Sequence, residues 1–119
     1  MIKKLDLILP YPPSVNTYWG FRGSHRFLTN QAKEFKKFVQ VAYQQTGHQG
    51  FSTDRLKVTV MLYPPDKRVR DIDNIAKPLI DALCQAKIFT DDGQIDLLTI
   101  IRQNIKKGGE CEVCIELKK

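Results

Sequence analysis

The stretch Leu56-Lys57-Val58-Thr59-Val60-Met61-Leu62-Tyr63, followed by Pro64-Pro65, decides the fold. Its leucine and valine residues alternate with residues of other kinds, which predicts a β-strand with one buried face. Proline has no N–H to donate to a strand ladder, so we expect the strand to end at Pro64. Because helical patterns flank it in the sequence, this strand is expected to belong to a sheet accompanied by helices.

Amphipathic helices are predicted before and after this strand. The first carries apolar residues at helical spacing, namely Ala32, Phe35, Phe38, Val39, Ala42 and Tyr43. Thr29 or Asn30 is its expected N-cap, and Gly47 is its expected terminator. The second has the same spacing at Ile72, Ile75, Ala76, Leu79, Ala82, Leu83 and Ala86. Pro78 cannot donate a backbone hydrogen bond, so we expect it in the first turn of that helix or at a kink.

Three further strands complete the expected sheet. Leu5, Leu7 and Leu9 alternate with other residues and predict the first strand. Residues 95–105 are rich in β-branched side chains and predict a long strand. Residues 106–109, Lys-Lys-Gly-Gly, are predicted to form a hairpin turn into a last strand over residues 111–117.

The predicted order β-α-β-α-β-β gives an α/β (α+β) fold class, a mixed β-sheet with two main helices. A length of 119 residues and 42% apolar residues suit one compact domain, expected over residues 1–119. No apolar run reaches the 18 residues of a membrane span, and the first residues lack a signal-peptide core. We therefore expect a cytoplasmic protein without membrane contact, and the three cysteines are expected to be reduced.

Charge is distributed unevenly along the chain. The formal net charge is +6 and the pI is about 9.3. Residues 1–70 carry a net charge of +8, whereas residues 71–119 carry −2 and hold six aspartates between positions 71 and 96. A basic chain with one aspartate-rich segment suggests attraction of phosphate around a metal site.

Asp71 and Asp73 form the densest acidic pair. If the segment is extended, side chains at i and i+2 point the same way and can share a hard cation such as Mg²⁺. Asp91 or Asp92, in the next predicted turn, would complete the cluster. The alternative is structural: one of the first two aspartates caps the helix, Asp73 pairs with Lys77, and Asp91-Asp92-Gly93 is a turn. The spacing alone leaves both interpretations open.

Other kinds of site fit the sequence poorly. A calcium-binding EF-hand loop beginning at Asp71 fails, because its fifth, sixth and twelfth positions are Ile75, Ala76 and Ala82. Cys111 and Cys114 have metal-like spacing, but residues three apart on a strand point to opposite faces.

Residues 15–28 are expected to form a long loop of functional composition. Aromatic residues 18, 19, 21 and 27 lie there among Arg22, His25 and Arg26. Aromatic side chains among basic ones could stack on unpaired nucleobases, but anchoring a long loop on the core is the commoner use of such residues. We interpret His25 as a phosphate contact rather than a general base.

Taken together, these motifs resemble the RusA-type Holliday junction resolvases, small dimeric endonucleases often encoded by prophages. The resemblance covers almost the whole chain. It is carried by residues 9–16 (Leu-Pro-Tyr-Pro-Pro-Ser-Val-Asn), residues 70–77 (Arg-Asp-Ile-Asp-Asn-Ile-Ala-Lys), Asp81-Ala82-Leu83, Asp91-Asp92 and Lys107-Gly108-Gly109.

The resemblance implies a Mg²⁺-dependent endonuclease of bacterial or phage origin, with Mn²⁺ as a substitute ion, acting as a homodimer on four-way junction DNA. It places the metal on Asp71, Asp73 and Asp92, and it adds Lys77 to these as a catalytic residue. The implied reaction is hydrolysis by paired symmetric nicks. Phosphate contacts from the basic half are expected at Arg22, His25, Arg26, Lys67, Arg68 and Arg70.

Two other functions remain as alternatives. A non-catalytic DNA-binding module would use the basic half without the aspartates. A metal-dependent phosphohydrolase of small phosphates would use the aspartates, but it would gain nothing from a half that carries a net charge of +8.

Overall fold

The structure of the protein, a computed structural model, describes residues 3–118. Its strands are β1 (Lys4–Leu9), β2 (Trp19–Arg22), β3 (His25–Leu28), β4 (Leu56–Tyr63), β5 (Ile95–Arg102) and β6 (Glu110–Leu117). Its helices are α1 (Val15–Tyr18), α2 (Asn30–Thr46) and α3 (Asp73–Gln85). A 3₁₀ turn, Asp92–Gln94, leads into β5.

Four strands form one mixed sheet in the order β1-β6-β4-β5. β6 runs antiparallel to both of its neighbours, while β4 and β5 are parallel and α3 lies in the crossover between them. The α+β class with a mixed sheet is therefore confirmed. Within residues 3–118, no helix is both long and apolar enough to span a bilayer.

The predicted alternation sets which face of the sheet is buried. Leu5, Leu7 and Leu9 are at most 4% exposed, and the alternate residues of β4 from Leu56 to Leu62 are buried in the same way. α2 and α3 contribute buried side chains to the same core. On the opposite face Ile8 is 65% exposed, so the helices cover only one side of the sheet.

The ends of α2 are as predicted. The Thr29 hydroxyl accepts a hydrogen bond from the Ala32 N–H (3.2 Å), which satisfies one of the free donors of the first turn. Gly47 ends the helix with φ of +71°, a conformation that glycine adopts without strain.

The loop predicted over residues 15–28 is wrong, because this segment folds into α1 and a two-stranded hairpin of β2 and β3. The turn is Gly23-Ser24, between the paired residues Arg22 and His25. Gly23 has φ of +66°, which two-residue hairpin turns of this kind require at their first position. Glycine followed by serine was the available signal.

The predicted hairpin between β5 and β6 is also wrong. A turn does form, in which the Gly109 N–H donates to the Lys106 carbonyl (2.7 Å), but β4 lies between the two strands. β5 ends at Arg102, and the chain then crosses the end of β4. Hydrogen bonds from the N–H groups of Gln103 and Lys106 to the carbonyls of Leu62 (2.7 Å) and Pro64 (2.9 Å) hold this crossing segment.

Candidate active site

The chain is already helical between the two aspartates that open α3. Ile72 has φ of −59° and ψ of −42°, and the Asn74 N–H donates to the Asp71 carbonyl (3.2 Å). The prediction that Asp71 and Asp73 share one side of an extended segment is therefore wrong, since two residues on a helical turn diverge around the axis. The alternative of an aspartate N-cap is wrong as well, because Ile72 is the N-cap and no side chain caps the helix.

Pro78 lies in the second turn of α3, so the first of its two predicted positions, the first turn, is wrong, and the other, at a kink, stays a prediction. It is buried, so its ring contributes to the core. The Asn74 carbonyl, four residues earlier, has no Pro78 N–H to accept from. α3 therefore gives up one internal hydrogen bond between its acidic start and the rest of the helix.

The carboxylates of Asp71 and Asp73 are exposed. Within residues 3–118, neither makes a side-chain hydrogen bond or an ion pair. Exposed oxygen donors without protein partners suit a hard cation that keeps several waters. The donor chemistry of these two residues thus fits Mg²⁺.

Asp91 and Asp92 are neighbours with different roles. The Asp91 carboxylate caps the 3₁₀ turn by accepting from the Gly93 N–H (3.1 Å). The Asp92 carboxylate faces α3, where its Oδ2 lies 3.6 Å from Lys77 Nζ. Lys77 therefore pairs with Asp92, and the predicted alternative of a pair with Asp73 is not what the structure shows.

The turn that carries Asp92 is held by the buried side chain of Gln94. Its Oε1 accepts from the N–H groups of Thr90 and Asp91 (both 2.7 Å). Its Nε2 donates to the carbonyls of Ser52 and Asp54 (both 2.9 Å). The role of Gln94 could not be predicted from the sequence, because a single glutamine carries no pattern.

Of the four predicted catalytic residues, the structure brings Lys77 and Asp92 into contact. No three His, Cys, Asp or Glu side chains among residues 3–118 lie close enough to hold one metal ion. Cys111 is buried, which raises its pKa to about 12, and Cys114 lies at the more exposed face of β6.

A groove of about 680 Å³ lies beside Asp71. It joins segments that are distant in sequence, namely residues 10–14, 16, 17, 31, 65, 68–71, 74, 75 and 108. Close packing at the neighbouring Gly109 fixes part of this arrangement: a Cβ there would lie 2.9 Å from Tyr11 Cβ, and φ is +74°. The motifs at the start, middle and end of the chain thus meet at one groove.

The basic residues of the loop after β4, residues 66–70, have two different roles. Arg70 is only 20% exposed, pairs with Asp66 (2.9 Å) and lies over the Tyr11 ring. Hydrogen bonds from Arg70 and Arg68 hold the pKa of the Asp66 carboxyl well below its ordinary value. Lys67 and Arg68 are exposed. Arg70 thus orders the loop, while the other two face solvent.

Arg22, His25 and Arg26 all lie exposed on the hairpin of β2 and β3. The hairpin is joined to α3 through Tyr18, whose hydroxyl donates to Asp81 Oδ2 (2.7 Å). Burial and this bond raise the pKa of Tyr18 well above its ordinary value. The role of Asp81 was not predicted, although a lone acidic residue between buried residues of α3 was visible in the sequence.

These features define a small, basic α+β protein with exposed carboxylates at the start of a helix, beside a groove. Residues 10–118 match the family model described as endodeoxyribonuclease RusA. The chain is 38% identical over 114 residues to a crossover junction endodeoxyribonuclease of Enterobacteria phage HK97, covering 96% of this chain and 95% of the relative.

More distant relatives carry the same name. Those of Escherichia coli strain K12 and Enterobacteria phage 82 are each 27% identical, over 92% of this chain and 92% and 91% of the relatives. The chain belongs to the RusA endodeoxyribonuclease family.

Proposed function

We propose that the protein is a crossover junction endodeoxyribonuclease that resolves four-way DNA junctions by paired symmetric nicks in the presence of Mg²⁺. The observation that carries the proposal is the match over more than 90% of both chains to relatives named for this activity. The exposed, unpaired carboxylate of Asp71 beside a groove and the basic first half are consistent with it.

In this mechanism Asp71, Asp73 and Asp92 would supply the oxygen ligands of Mg²⁺, or of Mn²⁺ in its place; because they do not form a ready-made cluster within residues 3–118, their side chains would have to close around the ion as it binds. When bound, such an ion lowers the pKa of a water and neutralises charge on the leaving oxygen. Lys77, 3.6 Å from Asp92, places an ammonium beside these carboxylates and stabilises the additional charge of the scissile phosphate.

The basic side chains position the substrate. Phosphate contacts are assigned to Arg22, His25, Arg26, Lys67, Arg68 and Arg70. Such contacts fix the register and orientation of DNA without reading its sequence. Arg70, being bound to Asp66, acts mainly by ordering the loop that presents Lys67 and Arg68.

The proposal also includes that the protein acts as a homodimer in the bacterial cytoplasm. A two-fold dimer matches the two-fold cutting of a junction, since each protomer supplies one nick. Sedimentation at working concentrations tests this, and a protein that is monomeric while cutting both strands of the junction contradicts it.

The test of the activity is cleavage of an end-labelled four-way junction, compared with a linear duplex of the same sequence. We expect cutting of the junction in Mg²⁺ or Mn²⁺ and none in excess chelator. Asp71→Asn, Asp73→Asn and Asp92→Asn should abolish cutting but retain binding. Asp91→Asn is the matched control, because asparagine also caps the turn and should leave the cutting rate nearly unchanged.

The outcomes separate the alternatives. Binding of the junction without cutting in any divalent ion would favour a non-catalytic DNA-binding module. Wild-type cutting rates in all three aspartate variants would overturn the metal-site assignment.

A further inference from the structure

The aromatic residues at the hairpin of β2 and β3 differ in burial: one is packed in the core and another is exposed to solvent. Tyr18, at its base, is fully buried. Phe21 is 69% exposed. Among the exposed aromatic side chains of residues 3–118, this is the highest value. Core anchoring thus accounts for Tyr18 and gives no reason for a phenyl ring at position 21.

One face of the hairpin carries an aromatic ring, Phe27, that is partly covered and 38% exposed. Gly20 and Phe27 are opposite each other, and the ring lies across the glycine, where an added Cβ would come within 2.5 Å of Phe27 Cζ. The Arg22 guanidinium lies 5.9 Å from the centre of that ring. Phe27 is therefore held between the backbone and a cation.

The other face carries Trp19, Phe21 and Arg26. The Arg26 guanidinium lies 4.9 Å from the centre of the Trp19 ring, so this ring too has a cationic partner. Phe21 is paired with Arg26 across the strands, yet within the described chain it makes no ring or cation contact. One ring of the hairpin thus remains available to a ligand.

The base of the hairpin is fixed to the helix that carries the candidate catalytic lysine. The Thr29 hydroxyl donates to the Thr17 carbonyl (2.6 Å), which closes the base. The Tyr18 hydroxyl bonds to Asp81 on α3, one helical turn after Lys77. Since Phe21 is three residues from Tyr18, its Cα lies no more than roughly 10 Å along the chain from this anchor.

Charge identifies the kind of ligand. The hairpin from Trp19 to Leu28 contains three basic residues, Arg22, His25 and Arg26, and no acidic one. A cationic strand pair with one uncovered ring suits a nucleobase attached to a phosphate backbone, because any base offers a face for stacking.

We propose that Phe21 stacks on a nucleobase that unstacks at the branch of a DNA junction, so that the hairpin distinguishes branched from linear DNA. This inference rests on the proposed function, since it takes the junction as the substrate. A linear duplex keeps its bases stacked and offers the ring no partner, so Phe21 should contribute little to duplex binding.

The experiment uses the full chain in Ca²⁺ with a four-way junction that carries 2-aminopurine at the branch, and a linear duplex of the same sequence. Phe21→Ala should weaken junction binding about tenfold, at the scale of one base stack, and leave duplex binding unchanged. It should also abolish the change in 2-aminopurine fluorescence that the wild-type protein causes. Phe21→Trp should restore both.

Phe38→Ala is the matched control, because Phe38 is also a half-exposed phenylalanine but lies on α2. It should behave like the wild type. Unchanged junction affinity and fluorescence in Phe21→Ala would overturn the inference while the proposed function stands, and so would an equal loss for junction and duplex. A wild-type protein that does not prefer the junction would overturn both.

Discussion

Lys77 is the residue for which a structural and a catalytic role lead to opposite results. Its ion pair with Asp92 joins two side chains that are more than half exposed, so the pair contributes only about 0.2–1 kcal/mol to stability. Lys77→Ala should therefore fold normally. If the ammonium stabilises transition-state charge, the single-turnover rate should fall about a hundredfold or more, with little change in junction affinity.

Two further variants make this prediction specific. Lys77→Arg should recover little of the rate, because a planar guanidinium does not replace a compact ammonium. Lys106→Ala removes another half-exposed lysine from an ion pair, here with Glu110, and should leave the rate unchanged. A rate within about threefold of the wild type in Lys77→Ala, too small for a transition-state contact, would return Lys77 to a purely structural role.

Asp66 gives the loop after β4 a defined pH dependence. Its pKa lies below the unfolded value of about 3.9, because Arg70 and Arg68 donate to the ionised form. Its contribution to stability is thus present above pH 4 and is lost as the pH falls towards the folded pKa. Asp66→Asn should lower Tm at pH 7, and the difference from the wild type should shrink below about pH 4.

Thermal unfolding between pH 7 and pH 2.5 measures this dependence. Val69→Ala is the control, since Val69 is an exposed, uncharged residue of the same loop. A difference in Tm between Asp66→Asn and the wild type that stays constant over this range would contradict the assignment.

At the scale of elements, the 3₁₀ turn depends on one buried amide. Gln94→Ala removes four hydrogen bonds and leaves the Asp91 N–H and the Asp54 carbonyl short of a partner. We expect a loss of about 2–3 kcal/mol in the free energy of unfolding by urea. The cleavage rate should also fall, because the turn positions Asp92. Gln103→Ala, which loses only a weak bond to Met61 Sδ, is the control and should be near neutral.

Local patterns predicted the elements whose causes are local. The alternation of β4 and the cap residues Thr29 and Gly47 each depend on neighbours within a few residues, and these predictions are confirmed. Strand order is different, because alternation shows that a strand has a buried face but not which strand lies beside it. β4 lies between β5 and β6 in the sheet, so these two strands do not form the predicted hairpin.

The candidate site shows the same division. The aspartates were found from their density in the sequence. The contact between Lys77 and Asp92, and the bond between Tyr18 and Asp81, join separate elements, and no spacing rule predicts them.

For the molecule as a whole, the uneven charge predicts strongly salt-dependent DNA binding. Each phosphate neutralised by Lys or Arg releases counterions, so log K should fall linearly with log salt, with a slope of several units. Replacing both Arg22 and Arg26 with alanine should reduce the slope by about 2, because each loses one contact. Fluorescence anisotropy over a salt series measures this. A slope near zero for the wild type would contradict binding through phosphates.

The position of β6 between β1 and β4 also has a consequence for synthesis on the ribosome. Leu7 pairs with Val113, so β1 cannot pair with β6 until more than 100 further residues have been synthesised. At about 5–20 residues per second, the edge of β1 that pairs with β6 stays open on the nascent chain for roughly 5–20 s. Open strand edges invite pairing with other chains. The enzyme fold therefore closes in one late event, when β6 leaves the exit tunnel, and chaperones that shield nascent strands should improve its yield.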